Sequence, residues 1–262
     1  MRAVFFSVQN QERFVEKISA VIITYNEEKN IERCLKSVRW ADEIVVLDSN
    51  SSDATLDICR LYTDKVFQME WHGYGKQKNL AAERASHNWI LNLDADEEVS
   101  PQVESEIRNL LNSGPQYPAY HLPRKNYFGE RWIRFCGWYP DRIIRLYDKM
   151  NAAFSEGRVH EKIEAAGGVG ALKEPLLHHS YRDMADYIAR QNRYSTLSAQ
   201  DRFERKGKVG LVRLALGPVW EFIKVYFLRQ GFREGRLGFF IAASMAFYTF
   251  LKYIKTHECE SL

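Results

Sequence analysis

Trp89-Ile90-Leu91-Asn92-Leu93-Asp94-Ala95-Asp96-Glu97-Glu98 is the stretch that decides how this chain folds. An apolar run of strand length, Trp89 to Asp94, gives way at once to acidic side chains. Buried strands of α/β sheets end in this way at the edge where ligands bind. Upstream, the short apolar runs Ile18 to Thr24, Glu43 to Asp48 and Lys65 to Met69 are separated by segments of helical period. In the first of these segments Ile31, Cys34, Leu35 and Val38 recur at i, i+3, i+4 and i+7, which puts one apolar stripe against a sheet. Ser100 followed by Pro101 predicts a helix start, a capping hydroxyl and then the proline tolerated in the first turn. Residues 18–113 therefore read as successive βαβ units around a mostly parallel sheet.

From Tyr117 to about Ile163 the helical period is lost, and short aromatic or β-branched runs between Gly129, Gly137, Pro140 and Gly157 predict strands and loops that extend the sheet. Arg182 to Arg205 returns to a polar helical pattern, and Leu211 to Leu251 is apolar and basic. The expected organisation is an extension at 1–17, a catalytic domain at 18–181 with halves at 18–113 and 114–181, and a helical region at 182–262. Of the 262 residues, 45% are hydrophobic and 27% charged, which excludes a disordered or collagen-like chain. Cys34, Cys59, Cys136 and Cys259 are far apart, as free thiols in a reducing compartment are. The apolar run Ala3 to Phe6 is too short for a secretory signal, so a cytosolic protein is expected.

Residues just after each strand are the first to examine for chemistry. They are Thr24-Tyr25-Asn26-Glu27-Glu28, Asp48-Ser49-Asn50-Ser51-Ser52-Asp53 and Asp94-Ala95-Asp96-Glu97-Glu98. Any one such aspartate is as often a helix cap or turn former as a ligand, but three acidic strand ends in one sheet favour a site. Neither G-x-G-x-x-G after the first strand nor G-x-x-x-x-G-K-S/T occurs, so no glycine loop cradles phosphates. Asp94 and Asp96, two apart at the end of a buried strand, instead suit a hard divalent cation that also takes diphosphate oxygens.

On these residues the chain resembles the family 2 glycosyltransferases, with their GT-A fold, a Rossmann-like nucleotide-sugar-binding sheet. The resemblance runs over about residues 18–113 through Ala20 to Glu28, Ile44 to Ser49 with Asp53 and Thr55, Lys76-Gln77-Lys78-Asn79, and Leu91 to Asp96. It implies that Thr24, Glu27 and Asp48 contact the nucleotide base and ribose, that Asp94 sits near the nucleotide, and that Asp96 ligates Mg²⁺ or Mn²⁺ on the diphosphate. Tyr25, Asn26, Lys76, Gln77 and Ala95 fall in the same nucleotide-sugar set. The later half is similar to bacterial enzymes that add glucose to the inner-core heptose of lipopolysaccharide. That similarity is carried by Gly137 to Arg142, Arg145-Leu146-Tyr147, Gly157 to Glu161 and His178 to Tyr181.

An inverting transfer needs a base on the acceptor hydroxyl and a charge sink on the departing diphosphate. Glu161, beside His160 after the Gly157 turn and about as far beyond the D-x-D as the family places its acidic catalytic residue, is the preferred base, with Asp141 and Glu156 as rivals. A structural ion pair of Glu161 with Arg158 or Lys162 is the competing role. One imidazole of His178 and His179 could complete the metal shell, and His178 matches the family position better. Arg142 and Arg145, three apart in a regular strand, would face opposite ways, so at most one is expected to reach the diphosphate. Trp138 and Tyr139 could stack on an acceptor sugar, although such rings are more often core.

Residues 1–200 carry 26 basic and 28 acidic side chains, a net of −2, whereas residues 201–262 carry 11 and 6, a net of +5. Arg229, Arg233 and Arg236 lie between the apolar stretches Leu211 to Leu228 and Leu237 to Leu251, with Lys252 and Lys255 beyond. The uncharged run from Leu237 to Leu251, about 22 Å as a helix, is too short to span a bilayer core of about 30 Å. A hairpin lying on an anionic membrane surface is expected, with packing on the catalytic domain or on a second subunit as the competing arrangement. No nucleic-acid partner is expected, and the oligomeric state is left open.

The expectation is thus a cytoplasmic glycosyltransferase, peripheral on the inner membrane, that moves a hexose, glucose by resemblance, from a UDP-sugar to a lipid-linked saccharide such as the lipopolysaccharide inner core. Alternatives are transfer to another cell-envelope acceptor, a catalytically dead saccharide-binding module, and a metal-dependent nucleotidyltransferase. The last would want a basic, glycine-rich loop where Asn26-Glu27-Glu28 stands.

Overall fold

The computed structural model describes residues 16–155 and 162–259. Parallel strands β3 (Val66–Gln68), β2 (Glu43–Asp48), β1 (Ile18–Thr24) and β4 (Trp89–Asp94) lie side by side in that order. Antiparallel β8 (Asp141–Asp148), then β6 (Ala119–Phe128), β12 (Leu176–Tyr181) and β5 (Glu97–Glu98) carry the sheet onward. β7 (Arg131–Trp132) and β11 (Val169–Ala171) pair with β6, and β9 (Ala152–Phe154) pairs with β10 (Ile163–Ala165). This is a mixed α/β fold of the GT-A kind, with a mostly parallel sheet.

Every residue of β1 is buried, because helices cover both of its faces. Ala20 and Ile22 pack with α1 (Ile31–Ser37) and α4 (Pro101–Ser113) through Leu35, Val103 and Ile107. Val21 and Ile23, of opposite parity, pack with Ala81 and Ala82 of α3 (Tyr74–Glu83) on the other face. Ser100 Oγ accepts the backbone N–H of Val103 at 3.3 Å, so the Ser-Pro start of α4 is a side-chain cap as well as a turn. A shorter helix, α2 (Thr55–Arg60), follows the loop after β2.

Glu43, at the start of β2, ties three segments together. Its carboxylate accepts Ser19 Oγ at 2.5 Å, Ser86 N and Oγ each at 2.7 Å, and the Lys65 ammonium. Burial would raise this carboxyl, but the hydrogen bonds from Lys65, Ser19 and Ser86 outweigh it and bring it down to about 2. A depressed carboxyl gives stability that is present above its ordinary value of 4.5 and is lost as pH falls from there toward about 2. In urea unfolding, the stability gap between wild type and Glu43→Gln is accordingly expected to shrink across that window. A gap that did not change with pH would contradict it.

The last helices are α5 (Met184–Lys206), α6 (Leu211–Ile223) and α7 (Arg236–Glu258), with a π turn at Lys224–Leu228 and a 3₁₀ turn at Gly231–Glu234. α7 runs well past the uncharged stretch to 23 residues, about 34 Å at 1.5 Å per residue. By length and composition it is therefore long and apolar enough to cross a membrane, contrary to the expectation drawn from the uncharged run alone. It packs between α5 and α6, and Lys255 Nζ donates to Asn192 Oδ1 at 2.7 Å and to Ser195 Oγ at 2.8 Å on α5. Buried Glu234 accepts Arg131 Nη2 and Arg134 N at 2.8 Å, which fastens the turn to the β7 region. A Cβ at Gly238 would collide with the Gly231 carbonyl oxygen, so glycine is what lets α7 start against that turn.

Candidate active site

A cavity of about 700 Å³ opens at the carboxyl ends of β1 and β4. Thr24, Tyr25, Glu27 and Ser49 wall one side, Asp94, Ala95 and Asp96 the floor, and His178, Ser180, Tyr181, Arg190, Arg193 and Tyr194 the side formed by β12 and α5. Trp71, Tyr74 and Lys78 close it from α3 and the loop before it. Thr24 Oγ1 is buried and has no hydrogen-bond partner among the described residues, an atom ready for a ligand. Burial raises the Glu27 carboxyl, with Asp96 adding to the effect and the hydrogen bond from Asn30 opposing it.

The two aspartates of the D-x-D diverge. Asp94 accepts Arg145, and Lys78 Nζ lies 3.3 Å from its other oxygen. Burial alone would raise its carboxyl, but Arg145, then Lys78 and Arg124, hold it well below the usual carboxylate range. Arg145 also donates to fully buried Glu97 at 2.8 Å, Arg124 joins Glu97 at 3.0 Å, and Arg124 reaches Asp141 at 2.6 Å. The result is an alternating chain, Lys78–Asp94–Arg145–Glu97–Arg124–Asp141, in which three cations meet three anions.

The strand that supplies Arg145 is irregular. Tyr120 pairs with Leu146 but His121 pairs with Ile144, so Arg145 is an extra, bulged residue on β8. It is buried and turned toward Asp94, whereas Arg142 is exposed.

Asp96 points elsewhere, toward His178, with 3.4 Å between Oδ2 and Nε2. The pairing of β5 with β12 sets His178 across from Glu97, and His179 N donates to the Asp96 carbonyl at 2.9 Å. Asn126 donates its Nδ2 to the Trp138 carbonyl at 2.9 Å, which leaves its Oδ1 facing His178 Nδ1 at 2.6 Å. His178 Nδ1 is then the donor, and its Nε2 is left to face the Asp96 carboxylate. Such a pair calls for a cation between them, a proton or a metal, so Asp96 and His178 fit a divalent ion that diphosphate oxygens and water would complete. Among the described residues no cluster of three or more Cys, His, Asp or Glu is gathered for a metal. His179 turns away to Glu98 at 3.0 Å and stacks on Tyr127.

Other expected residues fall as follows. Asp48 is fully buried, and its carboxylate holds Ser51 N at 2.8 Å and the Ser51 hydroxyl, so it shapes the loop behind the cavity instead of lining it. Asn26, at φ 53°, accepts Ser52 N at 2.8 Å, which joins the loops after β1 and β2. Gln77 is buried and donates to Ser49 Oγ at 3.1 Å. Lys76 is exposed and borders a different hollow, and Lys78 takes the place in the cavity. Asp141 is committed to Arg124 through two hydrogen bonds. Trp138 packs on Tyr181 at 5.6 Å and Tyr187 at 6.3 Å, and Tyr139 packs edge-on to Trp132. Neither ring lines the cavity. Glu156 and Glu161 lie outside the described residues.

Lys78, Arg124, Arg190 and Arg193 were not anticipated as cavity residues. Lys78 was within reach of sequence reasoning, since it shares a helical face with Tyr74, Ala81 and Ala82. The arginines of α5 sit in a polar helix whose spacing carries no such signal.

A family model, Glycosyl transferase family 2, matches residues 19–158. The chain is 34% identical to an uncharacterised glycosyltransferase of Rickettsia bellii over 94% of its own length and 88% of the relative's. It is 30% identical to the lipopolysaccharide core biosynthesis glycosyltransferase LpsC of Rhizobium meliloti over 94% of its own length and 93% of the relative's. Among solved structures, residues 1–349 of S. aureus TarS overlap 93% of this chain and 92% of their own at TM-score 0.48 and 17% identity, a loose likeness. The sheet with its strand-end cavity is the mixed α/β, mostly parallel arrangement of the GT-A fold. The chain belongs to the family 2 glycosyltransferases.

Proposed function

We propose that this enzyme transfers glucose from UDP-glucose, with inversion, to a lipid-linked saccharide of the lipopolysaccharide inner core. The observation that carries the donor side is the shared cavity in which Asp96 and His178 Nε2 face one another and which Thr24 lines, its hydroxyl without a partner among the described residues. The likeness to LpsC, whose name places it in lipopolysaccharide core biosynthesis, supports the acceptor class.

In this scheme Thr24, Tyr25 and Glu27 contact the nucleoside, and Asp48 and Asn26 set the loops behind it. Asp96 and His178 hold Mg²⁺ or Mn²⁺, which would take up the negative charge that grows on the departing diphosphate. Lys78 and Arg145 fix Asp94 as an anion at the floor of the cavity. Glu161 removes the proton from the acceptor hydroxyl as that oxygen attacks the anomeric carbon in line with the leaving UDP. Asp141 is the weaker candidate because Arg124 already occupies it.

The helical region attaches the enzyme to the cytoplasmic face of the inner membrane. α6 buries none of its residues, and Leu211, Val212, Leu216, Val219, Trp220, Phe227 and Leu228 are all exposed beside Arg229, Arg233 and Arg236. An apolar face edged by arginines suits an anionic bilayer surface.

The test is a screen of UDP-sugars for UDP release with truncated inner-core lipopolysaccharides as acceptors. UDP-glucose with a heptose-terminated acceptor is expected to be turned over fastest. Binding of UDP with no turnover of any pair would instead mark a saccharide-binding module.

A further inference from the structure

The cations around the cavity face acids, with one exception on α5. Lys78, Arg124 and Arg145 are matched one for one by Asp94, Glu97 and Asp141. Arg190 is matched by Asp186, with Nε to Oδ1 at 3.0 Å, and its guanidinium lies 5.7 Å from the Tyr181 ring and 3.9 Å from Asp96. Burial would lower Arg190, but Asp186 and Asp96 hold it up, so it is a fixed cation. Arg193 lines the same wall, is exposed, and has no acidic partner among the described residues. It sits three residues beyond Arg190 on α5, roughly 4.5 Å further along the helix axis. Tyr194, 40% exposed, follows it on α5 and lines the same cavity.

This wall faces the strand ends across the cavity. The donor side is walled by Thr24 at the end of β1 and by Glu27 and Ser49 from the loops after β1 and β2, whereas Arg193 and Tyr194 come from a helix outside the matched segment 19–158. An arginine without an acidic partner among the described residues, in a cavity that also presents an exposed tyrosine, suits an anionic sugar. The guanidinium takes a carboxylate or phosphate, and the ring takes the apolar C–H face of a pyranose.

We propose that Arg193, with Tyr194 beside it, forms a subsite for an acidic group, carboxylate or phosphate, on the acceptor saccharide. The proposal rests on the glycosyl transfer set out above and adds an acceptor specificity to it. Arg190, three residues earlier on α5, is the arginine that approaches Asp96, at 3.9 Å.

The experiment uses three acceptor disaccharides that are identical except for a phosphate, a carboxylate or a hydroxyl at one position. Each is measured with the full-length enzyme and with Arg193→Gln, Arg193→Lys and Tyr194→Ala, both by acceptor KM and by calorimetric binding without donor. Arg193→Gln is expected to raise the acceptor KM and Kd about tenfold for the acidic disaccharides, the scale of one hydrogen bond to a charged group. The loss falls on those acceptors and not on the neutral one, the KM for UDP-sugar is unaltered, and Arg193→Lys recovers part of the loss. The wild-type preference also weakens as salt is raised. Whichever acidic disaccharide shows the larger effect identifies the group. Equal losses on acidic and neutral acceptors, or a raised KM for UDP-sugar, would overturn the subsite, as would wild-type binding that ignores the acidic group. Absence of UDP release with every acceptor counts against the glycosyl-transfer reading, while the binding arm still decides the subsite.

Discussion

Arg145→Met is expected to lower the stability of the fold by about 3–5 kcal/mol, the cost of stripping one partner from a buried charge network. Arg145 is 4% exposed and answers both Asp94 and Glu97, and Glu97 is wholly buried. Without the guanidinium, Lys78 still reaches Asp94 and Arg124 still reaches Glu97, but Glu97 loses one of its two cations in a place that water does not reach. The methionine fills most of the volume, so the loss is one of charge more than of packing. For a chain of this length the midpoint of thermal unfolding should drop by roughly 10 °C. Denaturation followed by circular dichroism measures it, and a change below about 1 kcal/mol would mean that the network is as weak as a surface ion pair.

Asp96→Ala is expected to cut kcat by about a thousandfold or more, at the upper end of what loss of one charge-stabilising group costs. The effect on stability should be small. Asp96 has no strong partner of its own to strand, because His178 Nε2 stands 3.4 Å away and Arg190 3.9 Å away, while Asp186 still holds Arg190. Metal-dependent UDP binding should vanish together with turnover, as the same side chain serves both. A variant that kept normal turnover would remove the cation site from the scheme.

Strands β1, β2 and β4 run between the residues at which their apolar runs begin and end, Ile18–Thr24, Glu43–Asp48 and Trp89–Asp94. Strands covered on both faces by helices leave that plain mark in a sequence. What lay beyond reach depends on contacts between distant segments. The i, i+2 parity of Asp94 and Asp96 suggests one shared cation, yet Arg145, 51 residues onward, draws Asp94 away. Parity also assigns the sides of Arg142 and Arg145 only for a regular strand, and the bulge at Arg145 sets its aim. The motif Lys76-Gln77-Lys78-Asn79 names a neighbourhood, whereas burial on α3 selects the face that carries Lys78, Ala81 and Ala82. The uncharged run in the last helix ends where charge begins, but α7 continues because Lys255 finds partners on α5.

The most direct test is diffraction from crystals grown with UDP and Mn²⁺, with anomalous scattering used to place the metal. The expected result is a manganese peak in contact with both Asp96 Oδ2 and His178 Nε2, with the diphosphate on it and the uridine against Thr24. A metal bound away from this pair, or UDP lying outside the cavity at the ends of β1 and β4, would contradict the account.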